Sequence, residues 1–135
     1  AGWGEVEGGK QSAVILSTTV RIMSGEYCNK LPPHRIYKRR VTGEYSFCSG
    51  LKEGGQDSCR GDSGGPLYCV SSIRGQNKNV LYGLVSNGPP RCGRAGHPGI
   101  YAKVSSIIPW IRNYTTGMLP KNDTTLDTLQ IYKWM

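Results

Sequence analysis

No run of apolar residues in this chain approaches the ~20 that a helix needs to cross a bilayer, so no membrane span is expected. Histidine is scarce: His34 and His97 are the only two in 135 residues, which leaves little imidazole for proton transfer or metal ligation. No C-x-x-C or comparable ligand spacing accompanies the cysteines, so neither a zinc site nor any other metal or cofactor is expected. Acidic residues number 9 against 17 basic ones, a net charge of +8 that invites a polyanion-binding reading. The only dense basic cluster is Tyr37-Lys38-Arg39-Arg40, and neither an aromatic platform nor a nucleic-acid motif stands beside it. A solvated loop is the expectation there, with no nucleic-acid partner. The opening residues, AGWGEVEGG, have neither the basic head nor the apolar centre of a signal peptide, and read as a processed product or a fragment.

What is present points to strands and turns. Nineteen glycines and eight prolines separate short apolar runs at Ala13–Ile22, Tyr45–Cys48, Pro66–Val70, Val80–Ser86 and Gly99–Val104. One helix is predicted over Ser105–Thr116, with a serine at its start, Pro109 in its first turns, and Ile107, Trp110, Ile111 and Tyr114 on one face. The class is therefore mostly β. Five cysteines in so short a chain suggest an oxidising compartment, and composition alone does not choose among their pairings. Asn113-Tyr114-Thr115 and Asn122-Asp123-Thr124 fit the acceptor pattern for N-glycosylation, in keeping with secretion to the extracellular space.

The most informative stretch is QDSCRGDSGGPLYC, Gln56 to Cys69. A serine hydroxyl attacks a carbonyl only once a base removes its proton, and the attacked oxygen needs hydrogen-bond donors for its developing charge. Gly61, two residues before Ser63, lets the backbone bend so that both N–H groups can face one point, while Gly64 and Gly65 carry the chain away without side chains. As three letters, Asp-Ser-Gly is an ordinary turn. As GDSGGP preceded by DSC, it resembles the nucleophile region of the trypsin-like (chymotrypsin-fold) serine proteases. The likeness extends to Gly2-Trp3-Gly4, to Tyr27–Lys30 and Ser46–Gly50, to Val85–Gly88, and to HPGIYAKVSSIIPWI. It covers residues 1 to about 116.

That resemblance implies an all-β fold, the second six-stranded antiparallel Greek-key barrel of a chymotrypsin-like domain, closed by a C-terminal helix. Residues 117–135 would be a loosely ordered extension. Ser63 would be the nucleophile, Gly61 and Ser63 the oxyanion donors, and Asp62 the carboxylate of the activation salt bridge. Asp57 would lie at the floor of the specificity pocket beside Ser58, with Ser86 on the strand that pairs with substrate and Gly88 and Gly99 keeping the walls open. A guanidinium or ammonium group would satisfy that carboxylate, so cleavage after Arg or Lys is implied. The family pattern would pair Cys28 with Cys48 and Cys59 with Cys92, leaving Cys69 unpaired in this chain.

Neither His34 nor His97 falls where the family has its base. The catalytic His and Asp would come from a first barrel outside this chain, to which Cys69 would be the disulfide link, and the isolated chain is expected to be nearly inactive. Peptide substrates with Arg or Lys at the cut site, and protein protease inhibitors, would be the partners. Asn87 replaces a tryptophan usual in the family, Pro32 falls where an aromatic usually lines the groove, and the spans 28–48 and Ser71–Asn79 are long. These departures leave a second reading open: a catalytically inactive homologue that serves as a protein-binding module.

Overall fold

The computed structural model describes residues 1–31 and 43–115. Five antiparallel strands form one sheet: β1 (Arg21–Met23), β2 (Ser46–Gly50), β3 (Pro66–Ile73), β4 (Gln76–Asn87) and β5 (Gly99–Lys103), in the order β1-β2-β5-β4-β3. Two helices complete the described chain, α1 (Gly25–Lys30) and α2 (Val104–Thr115). The architecture is the expected antiparallel one with a C-terminal helix. Where six strands were expected, the described residues give five, and beside them stand isolated bridges, Gly2 to Leu16 and Glu5 to Gln11.

The apolar run Ala13–Ile22 contributes only its end to the sheet, as β1; Leu16 makes a single bridge. Val14 and Ile15 remain 63% and 55% exposed, because β-branched residues gain little from an extended backbone that has no apolar surface opposite. Ser71–Asn79, read from sequence as a long loop, is instead the outer half of a β3–β4 hairpin. Arg74 and Gly75 turn it, with φ of 51° and 76°, the two left-handed residues that a type I′ turn requires. α1 was not predicted. It starts at Ser24, whose hydroxyl accepts from the Tyr27 N–H at 3.2 Å, and Glu26 pairs with Lys30 one turn on.

α2 begins at Val104, one residue before the expected serine start. Val104 is buried and Ile107 and Ile111 are half-buried, as expected of an inner face. Trp110 and Tyr114 are exposed and meet each other instead, ring centroids 5.0 Å apart. The interior is small: Cys48, Leu67, Tyr101 and Val104 are its buried apolar residues, with Ser49 donating to the Arg21 carbonyl at 3.0 Å. Phe47 stacks on Tyr101 at 5.6 Å, joining β2 to β5. Cys28–Cys48 ties α1 to β2, and Cys59–Cys92 ties the segment before β3 to the loop after β4. Pro32, His34, Tyr37–Arg40, Asn122 and the 117–135 extension lie outside the described residues.

Candidate active site

The serine loop lies between the end of β2 and the start of β3, and backbone contacts fix its shape. Asp62 N–H donates to the Cys59 carbonyl at 3.0 Å and Gly65 N–H to the Asp62 carbonyl at 2.8 Å, giving two successive turns. Gly64 N–H then donates to the Val85 carbonyl, and Val85 N–H to the Gly65 carbonyl, both at 2.9 Å, which pins the loop to β4. Gly61 has φ of 93°, a conformation that a side chain would resist. Ser63 is exposed at the crest. Among the described residues no acceptor takes the N–H of Gly61 or of Ser63. Two exposed, unused donors flanking an exposed hydroxyl are what an incoming carbonyl oxygen would need.

Asp62 points away from this crest, into the protein. Its Oδ1 accepts from Gly4 N–H at 2.8 Å and its Oδ2 from Cys59 N–H at 2.9 Å. A methyl group on Gly2 would stand 2.0 Å from Oδ1, and one on Gly4 2.4 Å from Oδ2. The Gly-Trp-Gly segment is therefore moulded to the carboxylate, and a side chain at either glycine would displace it. Gln11 reaches the same place, its Nε2 lying 2.9 Å from where a Gly61 Cβ would be. Sequence reading did not find the roles of Gly4 and Gln11. Both depend on a fold that brings residues 4 and 62 together, and no local pattern records that.

Asp57 is half-buried. Its Oδ1 accepts from Ser58 N–H at 2.8 Å and its Oδ2 from Gly93 N–H at 3.1 Å. Burial pushes its carboxyl above the ordinary value of 3.8; the two backbone hydrogen bonds work against that shift, and the charge on Asp62 adds to it. Among the described residues no cation pairs with it. The Tyr101 hydroxyl donates to Ser58 Oγ at 3.1 Å, and burial raises the Tyr101 pKa, with the Ser58 contact opposing. Gly99 is buried against this group: a methyl there would come within 3.1 Å of Asp57 Oδ1 and 3.3 Å of Ser58 Oγ. Tyr101 thus belongs to the set around Asp57, although its apolar strand context gave no hint of it.

The other candidates are placed as follows. Ser86 lies at an irregularity in the β4–β5 register, between Val85 and Asn87, and is exposed. Gly88 follows with open space around its α-carbon. A hollow of about 1200 Å³ runs between the 1–22 segment and β3, lined by Asp57, Ser58, Asp62, Cys69 and Tyr101 among others. Gly61, Ser63, Ser86, Gly88 and Gly99 do not line it. Cys69, half-buried on β3, is a free thiol whose pKa burial raises. Asn113 is exposed near the end of α2. His97 sits in the loop before β5 with Nδ1 2.7 Å from the Ala95 carbonyl oxygen.

Comparison with known proteins agrees with this arrangement. The trypsin family model matches residues 1–111. The CLIP domain-containing serine protease HP8 of Bombyx mori is 41% identical over 111 residues, covering 82% of this chain and 28% of that protein. Melanization protease 1 of Drosophila melanogaster is 37% identical over 113 residues, 84% of this chain and 27% of the relative. Transmembrane protease serine 9 of Rattus norvegicus is 37% identical over 111 residues, 82% of this chain and 10% of the relative. The chain thus spans 28% or less of the length of each of these proteins. A match along 111 consecutive residues that includes the serine loop, both disulfides and most of α2 establishes that the chain belongs to the trypsin family.

Proposed function

We propose that residues 1–116 are the catalytic second barrel of a secreted serine endopeptidase that cuts after Arg or Lys, with 117–135 an extension. Ser63 attacks the peptide carbonyl, the N–H groups of Gly61 and Ser63 receive the oxyanion, and the resulting acyl-enzyme is released to water. The proton acceptor and its orienting carboxylate come from a first barrel outside this chain, and Cys69 forms the disulfide to it. Asp62, held by Gly4 and Cys59, keeps the loop in a shape that receives a carbonyl, and it is the carboxylate an activating amino terminus would meet.

The observation that carries the reading is Asp57: a half-buried carboxylate, hydrogen-bonded only by backbone N–H groups, with no cation beside it among the described residues. An uncompensated carboxylate is costly, and a substrate guanidinium removes that cost while gaining directional hydrogen bonds. Loss of the carboxylate should therefore remove roughly 2–5 kcal/mol of transition-state binding for arginyl substrates. Two disulfides fit the oxidising space outside the cell.

The test uses the complete, processed protein and a fluorophosphonate probe. Labelling at Ser63, abolished in Ser63→Ala, with hydrolysis of arginyl and lysyl substrates that Asp57→Ser selectively removes, is the expected result. No labelling of correctly processed material would leave a protease homologue that binds rather than cuts.

A further inference from the structure

We propose that Asn113 is an N-glycosylated residue, and that the sugar covers the outer side of α2. The triplet Asn113-Tyr114-Thr115 supplies the acceptor pattern, and the fold supplies the room. Asn113 lies nine residues beyond the buried Val104, about two and a half helical turns, and so on the opposite side of α2 from the packed face. Ile107, Ile108 and Ile111 follow Val104 on the inner side, whereas Pro109 and Asn113 are both exposed. A bulky polar substituent at Asn113 therefore projects from the side of α2 opposite Val104, Ile107 and Ile111. Beside it, Trp110 and Tyr114 are 62% and 72% exposed with rings 5.0 Å apart. This pair is an apolar platform next to the attachment point, suited to the C–H faces of the first sugar residues.

The transfer is made on the unfolded chain in the secretory pathway, with a lipid-diphosphate oligosaccharide as donor. The Asn113 Nδ2 forms a bond to the anomeric carbon and the bond from that carbon to the diphosphate oxygen breaks. The diphosphate leaves with the electron pair, and one amide proton is released to solvent. Helix formation follows, and Thr115, whose hydroxyl takes part in the acceptor pattern, then turns it back to the Ile111 carbonyl at 2.8 Å. This proposal is independent of the catalytic reading and holds equally for an inactive homologue.

The complete protein, secreted from a eukaryotic host, is treated with an N-glycosidase in ¹⁸O water and mapped by peptide mass spectrometry. The expected result is ¹⁸O-labelled aspartate at position 113 in the wild type and in Thr115→Ser, and its loss in Thr115→Ala. Native deglycosylation should also increase the reaction of Trp110 with a tryptophan-modifying reagent. An unmodified Asn113 in the secreted wild type, including a product carrying sugar only at Asn122, overturns the proposal. Unchanged Trp110 reactivity overturns the covering role of the sugar.

Discussion

At the residue scale, the proposed chemistry rests on two carboxylates, each held by its own pair of backbone N–H groups. Asp57 holds its proton to a higher pH than an unfolded chain would, because burial penalises its charge. Below the ordinary value of 3.8 it is protonated in both states and its titration costs the fold nothing. As pH rises through the window above 3.8 the unfolded chain ionises first, so stability falls, and the cost of the buried charge is complete once the native carboxyl has ionised. Binding has the opposite sign. A benzamidine-type cation should bind the complete protein at neutral pH, with an affinity that begins to fall as pH drops through the raised pKa of the free carboxyl, and Asp57→Ser should abolish that pH dependence. Fluorescence titration of the cation measures both.

Asp62 is held by backbone contacts. Gly4→Ala would place a methyl 2.4 Å from Oδ2 and force the carboxylate off the Gly4 N–H. The serine loop would then lose one of the contacts that fix its shape. The expected outcome is a fall of about 10²–10³-fold in kcat with near-native circular dichroism, comparable to losing one oxyanion donor. Gly99→Ala should act more mildly and mainly on KM for arginyl substrates, because its methyl meets Asp57 Oδ1 at 3.1 Å, within reach of a small adjustment.

At the scale of elements, the serine loop is held at two points. Val85 on β4 takes one side through paired backbone bonds, and Cys59–Cys92 secures the other to the loop after β4. With its cysteines 33 positions apart, this bridge should stabilise by about 3–4 kcal/mol under the chain-entropy account. Replacing both cysteines with serine should lower the melting temperature and disturb cation binding, since Gly93, which donates to Asp57, adjoins Cys92. Removing Cys28–Cys48 should lower stability by a similar amount but leave cation affinity near its native value, because that bridge joins α1 to β2 away from Asp57. Calorimetry and the same titration separate the two cases.

At the scale of the whole molecule, the described chain buries few large apolar side chains and exposes many. Trp3, Val14, Ile15, Ile22, Tyr68 and Val70 are all 47% exposed or more. Soluble monomers rarely carry apolar surface on this scale without a partner. The isolated 135-residue chain should therefore self-associate and bind an apolar-sensing dye, and both signals should fall when it is refolded with the proposed first barrel. Light scattering and dye fluorescence check this. Alone, it should retain at most the residual ~10³–10⁴-fold advantage over water that an oxyanion site and substrate binding provide without a base.

The antiparallel class, the C-terminal helix and the serine loop were legible in the linear chain, because each is encoded by neighbours: alternating apolar runs between glycines, isoleucines at helical spacing, and GDSGGP as a contiguous string. The trypsin family could be recognised from the same contiguity. The inner parts of β3 and β4 were legible as apolar runs, but the outer half of their hairpin, Ser71–Asn79, reads as a loop because its turn depends on a left-handed Arg74, which composition does not announce. Gly4 against Asp62, Tyr101 against Ser58, and Gly93 against Asp57 join residues 36 to 58 positions apart. Such pairs exist only after the chain has closed on itself. What the order of residues determined was the reactive string and the kind of strands that carry it; the tertiary structure decided which backbone groups face each carboxylate, because burial and hydrogen-bond direction are properties of the packed chain.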